Sequence, residues 1–177
     1  LTSGKMSFRY LGKGYFYNNK GPAVFCDTQK DAMLLTGFLN SNVANYIQRF
    51  INPTLTVLPG NIRNIPCILP ENDDIFQRLI GENIKLSEQD WNSSETSWNF
   101  KYHPLLNKAD SIAEAFEKWS DECDTQWKKL KYNEEELNRI FIDIYGLQDE
   151  LSPEVEEKDI TVRKADLQRD IRSFVSY

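Results

Sequence analysis

The chain has 177 residues, of which 40% are hydrophobic and 27% are charged, and its formal net charge is −6. This length allows one sizeable core, or one domain with an appended helical part. No apolar run reaches the ~20 residues of a membrane helix, and the first residues lack the apolar centre of a signal peptide. Three well-separated cysteines disfavour a disulfide framework or a zinc site. We therefore predict a cytoplasmic protein without a metal site.

The charge is unevenly distributed along the chain. Residues 1–70 carry seven basic and two acidic residues, a net charge of +5, whereas residues 71–177 carry a net charge of −11. Such asymmetry is a hint of a polyanionic partner for the basic part. Lysines that keep a small sheet soluble and protect its edges would produce the same pattern. Charge alone favours neither reading.

Residues 7–26 are rich in aromatic and β-branched side chains and are interrupted by turn residues. This pattern predicts three short strands near residues 7–11, 14–18 and 22–26, joined by tight turns. Basic residues alternate with the aromatic ones, a combination that suits nucleic acid. The same aromatic side chains could instead form the core of the sheet.

Two helices are predicted after these strands. Thr28 and Asp31 match a capping pattern that begins a helix ending near Leu39. Ser41 can cap a second helix over residues 42–51. A proline then stops the helix, and a short β-prone run and a Pro-Gly turn follow.

The rest of the chain is predicted to be helical. Apolar residues at spacings of three and four predict helices over about 75–87, 108–132 and 163–177. Asn133 and Glu136 match a capping pattern for one more helix, which would form an antiparallel hairpin with the helix before it. The aromatic residues between these helices predict a well-packed loop.

The predicted fold class is therefore α+β. A small antiparallel β-rich module with two helices (residues 1–70) is followed by a mainly α-helical module (residues 71–177). Catalytic motifs are missing from both: the single histidine, His103, has no acid or cysteine at ligand spacing, and no Asn/Asp-Pro-Pro-aromatic motif for an extruded adenine is present. We expect that the chain catalyses nothing by itself.

Three blocks of sequence resemble one protein family. They are SFRYLGKGYFYNNKGPAVF at 7–25, GFLNSNVANYIQRFINPTLTVLPGNIRNIP at 37–66 and WNSSETSWNFKYHPLL at 91–106. In this order they resemble the C-terminal part of the large adenine-specific DNA methyltransferases of bacterial BREX-type phage-defence systems. More loosely, Leu39-Asn40-Ser41, Gly60 and Ile65-Pro66 resemble a pattern of the target-recognition domains in type I specificity subunits and fused restriction–modification enzymes.

The resemblance implies a parent protein that transfers a methyl group from S-adenosylmethionine to the N6 of adenine. This segment would be its target-recognition part, with the catalytic motif and the cofactor pocket upstream and no cofactor in the segment itself. The implied partners are double-stranded DNA and the remainder of the parent or other defence-system proteins, with no membrane. The alternative is a helical protein-interaction scaffold without DNA contact.

Phosphate contacts supply affinity for DNA and base-edge contacts supply specificity. The cations and amides of the basic module are therefore our candidate DNA-binding residues. They are Arg9, Lys13, Asn18, Asn19, Lys20, Arg49, Asn61 and Arg63. The acidic helical module is expected not to touch DNA, and no catalytic residue or metal ligand is assigned.

Overall fold

The computed structural model describes residues 5–12, 14–16, 23–52, 58–68, 70, 74–106 and 108–177. These ranges contain six α-helices and one short 3-10 helix. The helices are α1 (Gln29–Asn40), α2 (Asn42–Ile51), α3 (Pro59–Arg63), α4 (Asp74–Asn92), α5 (Ile112–Tyr145) and α6 (Leu167–Ser176), with the 3-10 turn at Glu157–Asp159. No helix in these ranges is long and apolar enough to span a bilayer.

The chain forms two compact units. Unit 1 comprises Leu1–Gly81 and Glu134–Glu154, and unit 2 comprises Glu82–Asn133 and Val155–Tyr177. Both α4 and α5 contribute residues to each unit. The predicted domain boundary near residue 70 stays a prediction.

The predicted α+β fold class is wrong, because the described ranges contain helices and no strand. Side-chain amides take the place of a neighbouring strand. The backbone N–H of Met6 donates to Oδ1 of Asn45 at 2.7 Å, and the N–H of Phe8 donates to Oδ1 of Asn40 at 2.9 Å. Nδ2 of Asn40 donates back to the carbonyl oxygen of Phe8 at 3.1 Å. A segment whose backbone hydrogen bonds go to helix side chains needs no neighbouring strand.

The two helices predicted for residues 28–51 are confirmed, together with their caps. Oγ of Thr28 accepts the N–H of Asp31 at 3.1 Å at the start of α1. Oγ of Ser41 accepts the N–H of Ala44 at 3.2 Å at the start of α2. Each hydroxyl satisfies a backbone donor that the helix itself leaves without a partner.

The core of unit 1 is aromatic. The rings of Phe38 and Phe76 contact that of Phe141, with centroids 5.5 and 5.2 Å away, and all three residues are buried. Gly37 lies where α1 meets α4, and a Cβ atom at this position would overlap the side chain of Ile80. The missing side chain of Gly37 therefore allows the two helices to approach closely.

The predicted helical hairpin is also wrong, because α5 runs without a break from Ile112 to Tyr145. Asn133 is fully buried in the middle of α5. Its Nδ2 donates to the carboxylate of Glu82 at 3.0 Å and to Oδ1 of Asn83 at 2.9 Å. The residue that the sequence pattern assigns to a helix cap instead joins α5 to α4 within unit 2.

The segment after α4 in unit 2 is only partly packed. Phe100 contacts the ring of Tyr177 at 5.7 Å, and His103 contacts that of Phe174 at 5.2 Å. In contrast, the side chain of Trp98 is 97% exposed, and that of Tyr102 is 60% exposed. The prediction of a well-packed loop therefore holds for Phe100 and His103. It does not hold for Trp98 and Tyr102.

Candidate nucleic-acid interface

The structure describes four of the eight predicted DNA-binding residues. Arg9, Arg49, Asn61 and Arg63 belong to unit 1. The remaining four lie outside the described residues: Lys13, Asn18, Asn19 and Lys20.

Arg9 is exposed on the segment that precedes α1. Its Nη1 atom donates to Oγ of Ser7 at 2.8 Å and to the carbonyl oxygen of Phe8 at 2.9 Å. A guanidinium group has five N–H donors. Arg9 is therefore partly committed to its own segment, and the donors that Nη1 does not use remain for another acceptor.

Asn61 connects the end of α2 with the start of α3. Its Oδ1 accepts the backbone N–H of Leu58 at 2.8 Å and the side-chain Nδ2 of Asn52 at 3.3 Å. Asn52 is also the residue that ends α2. Oδ1 of Asn61 therefore holds the backbone of Leu58 in place. The Nδ2 group of Asn61 is left to donate to a ligand.

Two exposed arginines lie at the C-terminal ends of α2 and α3. Arg49 is in the last turn of α2, and Arg63 is the last residue of α3. Neither forms an ion pair or a side-chain hydrogen bond with any residue that the structure describes. A cation near a helix C-terminus is favoured by the helix dipole. We call Arg49, Asn61 and Arg63, with the exposed Phe50 and Leu58, the α2–α3 surface.

Two exposed guanidinium groups give this surface hydrogen-bond donors of the kind that suit an anion. An arginine binds a phosphate, or the O6 and N7 edge of guanine, through two parallel N–H groups. The caps on α2 and α3 restrict the backbone that carries Arg49 and Arg63. The predicted roles of the individual residues in reading DNA stay predictions.

The residues of the leucine-asparagine-serine pattern have structural roles. Leu39 is buried, Asn40 holds the segment around Phe8, and Ser41 caps α2. Buried Asn45 holds the backbone of the same segment. Asn45 was not singled out from the sequence, although a polar residue on the apolar side of an amphipathic helix is a signal that could have found it.

The isoleucine-proline pair that follows α3 is held by Tyr145. Ile65 is buried, and the hydroxyl of Tyr145 donates to the carbonyl oxygen of Pro66 at 2.6 Å. The same hydroxyl accepts the N–H of Ile68 at 2.7 Å. The ring of Tyr145 stacks on Phe38 at 5.8 Å. Tyr145 therefore fastens residues 66–68 to the aromatic core of unit 1.

The expectation that this segment holds no cofactor stays a prediction, and no candidate metal cluster lies among the described residues. They contain no group of three His, Cys, Asp or Glu side chains that could hold a metal ion.

His103 is a packed residue of unit 2. It is buried, its Nδ1 accepts the backbone N–H of Leu105 at 3.2 Å, and its ring contacts Phe174. Burial lowers the pKa of His103 below its ordinary value, and the nearby carboxylates of Asp170 and Glu95 partly oppose this. Its surroundings therefore favour the neutral ring.

Comparison with known proteins gives two relatives with related names, whereas no family model matches the chain. The chain is 41% identical over 183 aligned positions to the adenine-specific methyltransferase PglX of Lacticaseibacillus casei (strain Zhang). The match covers the whole chain and 15% of that protein. It is 29% identical over 144 positions to the adenine-specific methyltransferase BrxX of Escherichia coli O9:H4 (strain HS), covering 80% of the chain and 12% of that protein.

The chain thus spans about a seventh or less of the length of the relatives that it matches. The three sequence blocks that indicated the resemblance lie within the segment that PglX shares. The predicted resemblance is confirmed: over its whole length the chain is homologous to a segment of the BREX-type adenine-specific methyltransferases.

Proposed function

We propose that this chain is the DNA sequence recognition part of an N6-adenine DNA methyltransferase. The observation that carries the proposal is the pair of exposed arginines at the C-terminal ends of α2 and α3, which have no ion-pair partner among the described residues, in a chain whose relatives are named adenine-specific methyltransferases. In this proposal, the parent acts in the cytoplasm in phage defence of the restriction–modification kind. It binds S-adenosylmethionine outside this chain.

The proposed roles follow from side-chain chemistry. Arg49 and Arg63 bind phosphate oxygens or guanine edges. The free Nδ2 group of Asn61 donates to a base or a phosphate, while its oxygen keeps Leu58 in place. The methyl transfer itself belongs to the rest of the parent, and this chain places the target DNA.

A salt titration of DNA binding tests this role. Replacement of both Arg49 and Arg63 by glutamine should reduce the slope of log K against log salt by about 1.8, because each phosphate contact contributes about 0.9. The matched control replaces two other exposed cations, Lys128 and Arg172, by glutamine. A control that reduces the slope equally would show that the effect is only one of net charge.

The sharper test uses the full-length parent and maps methylated adenines. Arg63→Gln is combined with Asn61→Asp, which keeps the oxygen that accepts the N–H of Leu58 and removes the amide donor. The expected result is a changed methylation sequence or a reduced methylation rate. If both stay unchanged, Arg63 and Asn61 do not read DNA.

A protein-interaction scaffold without DNA contact is the second candidate. The observation that favours it is the exposure of large aromatic side chains, with Phe16 fully exposed and Trp98 97% exposed. Aromatic residues of this kind often anchor protein–protein interfaces. Absence of any salt-dependent binding of this chain to duplex DNA would favour the scaffold.

A further inference from the structure

A groove of about 440 Å³ lies within unit 2 and is lined by residues of α4, of the segment after it and of α5. We call it the α4 groove. Lys85 and Gln89 on α4 line it, together with Asn99, Lys101 and Tyr102 from the segment after the helix. Most of these side chains carry hydrogen-bond donors.

Two of the lysines that line the α4 groove have no ion-pair partner among the described residues. Lys85 and Lys101 are exposed, and neither makes an ion pair or a hydrogen bond with the residues that the structure describes. A third lysine, Lys108, is already paired with Glu122. Among the described lining residues, Glu88 carries the one carboxylate.

The neutral side chains of the groove add donors beside these cations. The side-chain amides of Gln89 and Asn99 have no hydrogen-bond partner among the described residues. Tyr102 is 60% exposed and presents its ring and hydroxyl. Lysine, amide and phenol groups are the donors that proteins use toward the phosphate and sugar of a nucleic acid.

We propose that the α4 groove binds the phosphodiester backbone of duplex DNA, in addition to the contact proposed for the α2–α3 surface. Because Lys85 and Lys101 are both solvated and both unpaired, they suit successive phosphates along a strand better than one enclosed anion. The inference rests on the proposed function for the identity of the polyanion. It runs against the expectation that the acidic helical part does not touch DNA.

The test uses the whole 177-residue chain and a 30-base-pair duplex, with binding measured from low to moderate salt. Lys85→Gln combined with Lys101→Gln should reduce the slope of log K against log salt by about 1.8, as expected for two lost phosphate contacts. Glu88→Gln removes the one lining carboxylate and should tighten binding. Lys128→Gln combined with Arg172→Gln removes the same charge from exposed positions outside the groove lining and should leave the slope unchanged.

The outcomes separate this inference from the proposed function. Suppose that the groove variant and Glu88→Gln both bind DNA like the unmutated 177-residue chain, while the variant at Arg49 and Arg63 binds DNA more weakly. The groove then does not bind DNA, and the proposed function stands. If the chain shows no salt-dependent DNA binding at all, both fail. If the slope of log K against log salt falls as much in the control as in the groove variant, the effect is one of net charge. The proposal that the α4 groove binds DNA is then wrong.

Discussion

The α2–α3 surface and the α4 groove are built differently from the sequence. The cations of the α2–α3 surface lie in one stretch with few acidic residues, at helix ends that local caps define. The cations of the α4 groove are separated by acidic residues, and only the folded unit 2 brings them to one cavity. A charge count along the chain therefore detects the α2–α3 surface. It misses the α4 groove, because the acidic residues between Lys85 and Lys101 cancel their charges in such a count.

The two units also differ in what supports these surfaces. Unit 1 has a core of packed aromatic rings, and the asparagine side chains of α1 and α2 hold the backbone of Met6 and Phe8. In unit 2 a buried asparagine joins α4 to α5, and a single buried histidine packs beside α6. Three substitutions test this contrast.

The largest effect is expected from Phe141→Ala in unit 1. Its ring is fully buried between Phe38 and Phe76. Loss of a buried phenylalanine ring costs about 3–5 kcal/mol, through lost transfer free energy and the cavity left behind. Urea unfolding measures this change. Phe16→Ala, which removes a fully exposed ring, is the matched control and should change the free energy of unfolding by about 0.5 kcal/mol or less.

An intermediate effect is expected from Asn45→Ala. Oδ1 of Asn45 is the acceptor for the buried N–H of Met6. A buried donor without its acceptor costs about 1–3 kcal/mol, and the protection of the Met6 amide against hydrogen exchange should fall. Asn64→Ala, at an exposed position, is the control. Equal stability of the two variants would mean that amide side chains do not hold the segment.

The smallest effect concerns His103 in unit 2. Because burial lowers its pKa in the folded state, the unfolded chain binds a proton more readily as the pH falls through the ordinary histidine pKa of about 6.5. Stability contributed by the neutral ring is therefore present above this pH and is lost progressively below it, until the folded-state pKa is passed.

His103→Gln removes this titration and keeps a side-chain acceptor for the N–H of Leu105. As the pH is lowered from about 7.5 to 5.5, the free energy of unfolding should fall less steeply for the variant than for the unmutated chain. Identical slopes in this window would contradict the assignment of a lowered pKa to His103.

Helices with local signals were predictable from the sequence. The caps of α1 and α2 each join residues three positions apart, so the interaction is contained in the sequence pattern itself. Arg49 and Arg63 could be proposed from the positive charge of the stretch that carries them, although its pattern predicts a Pro-Gly turn where the structure has α3. The hydrogen bond between Asn52 and Asn61 could not be predicted from the sequence, because it depends on the path of the chain after α2.

What required the tertiary structure was the choice of distant partners. The pattern of residues 7–11 predicts an extended backbone equally well whether its hydrogen bonds go to another strand or, as Phe8 shows, to the side chain of Asn40. Asn133 matches a helix cap in sequence, and only its contacts with Glu82 and Asn83 explain why α5 continues through it. By itself the sequence determined the family and the local helices, because those depend on residue identity and short spacings. The absence of a sheet in the described ranges and the lining of the α4 groove depend on contacts between residues far apart in the chain.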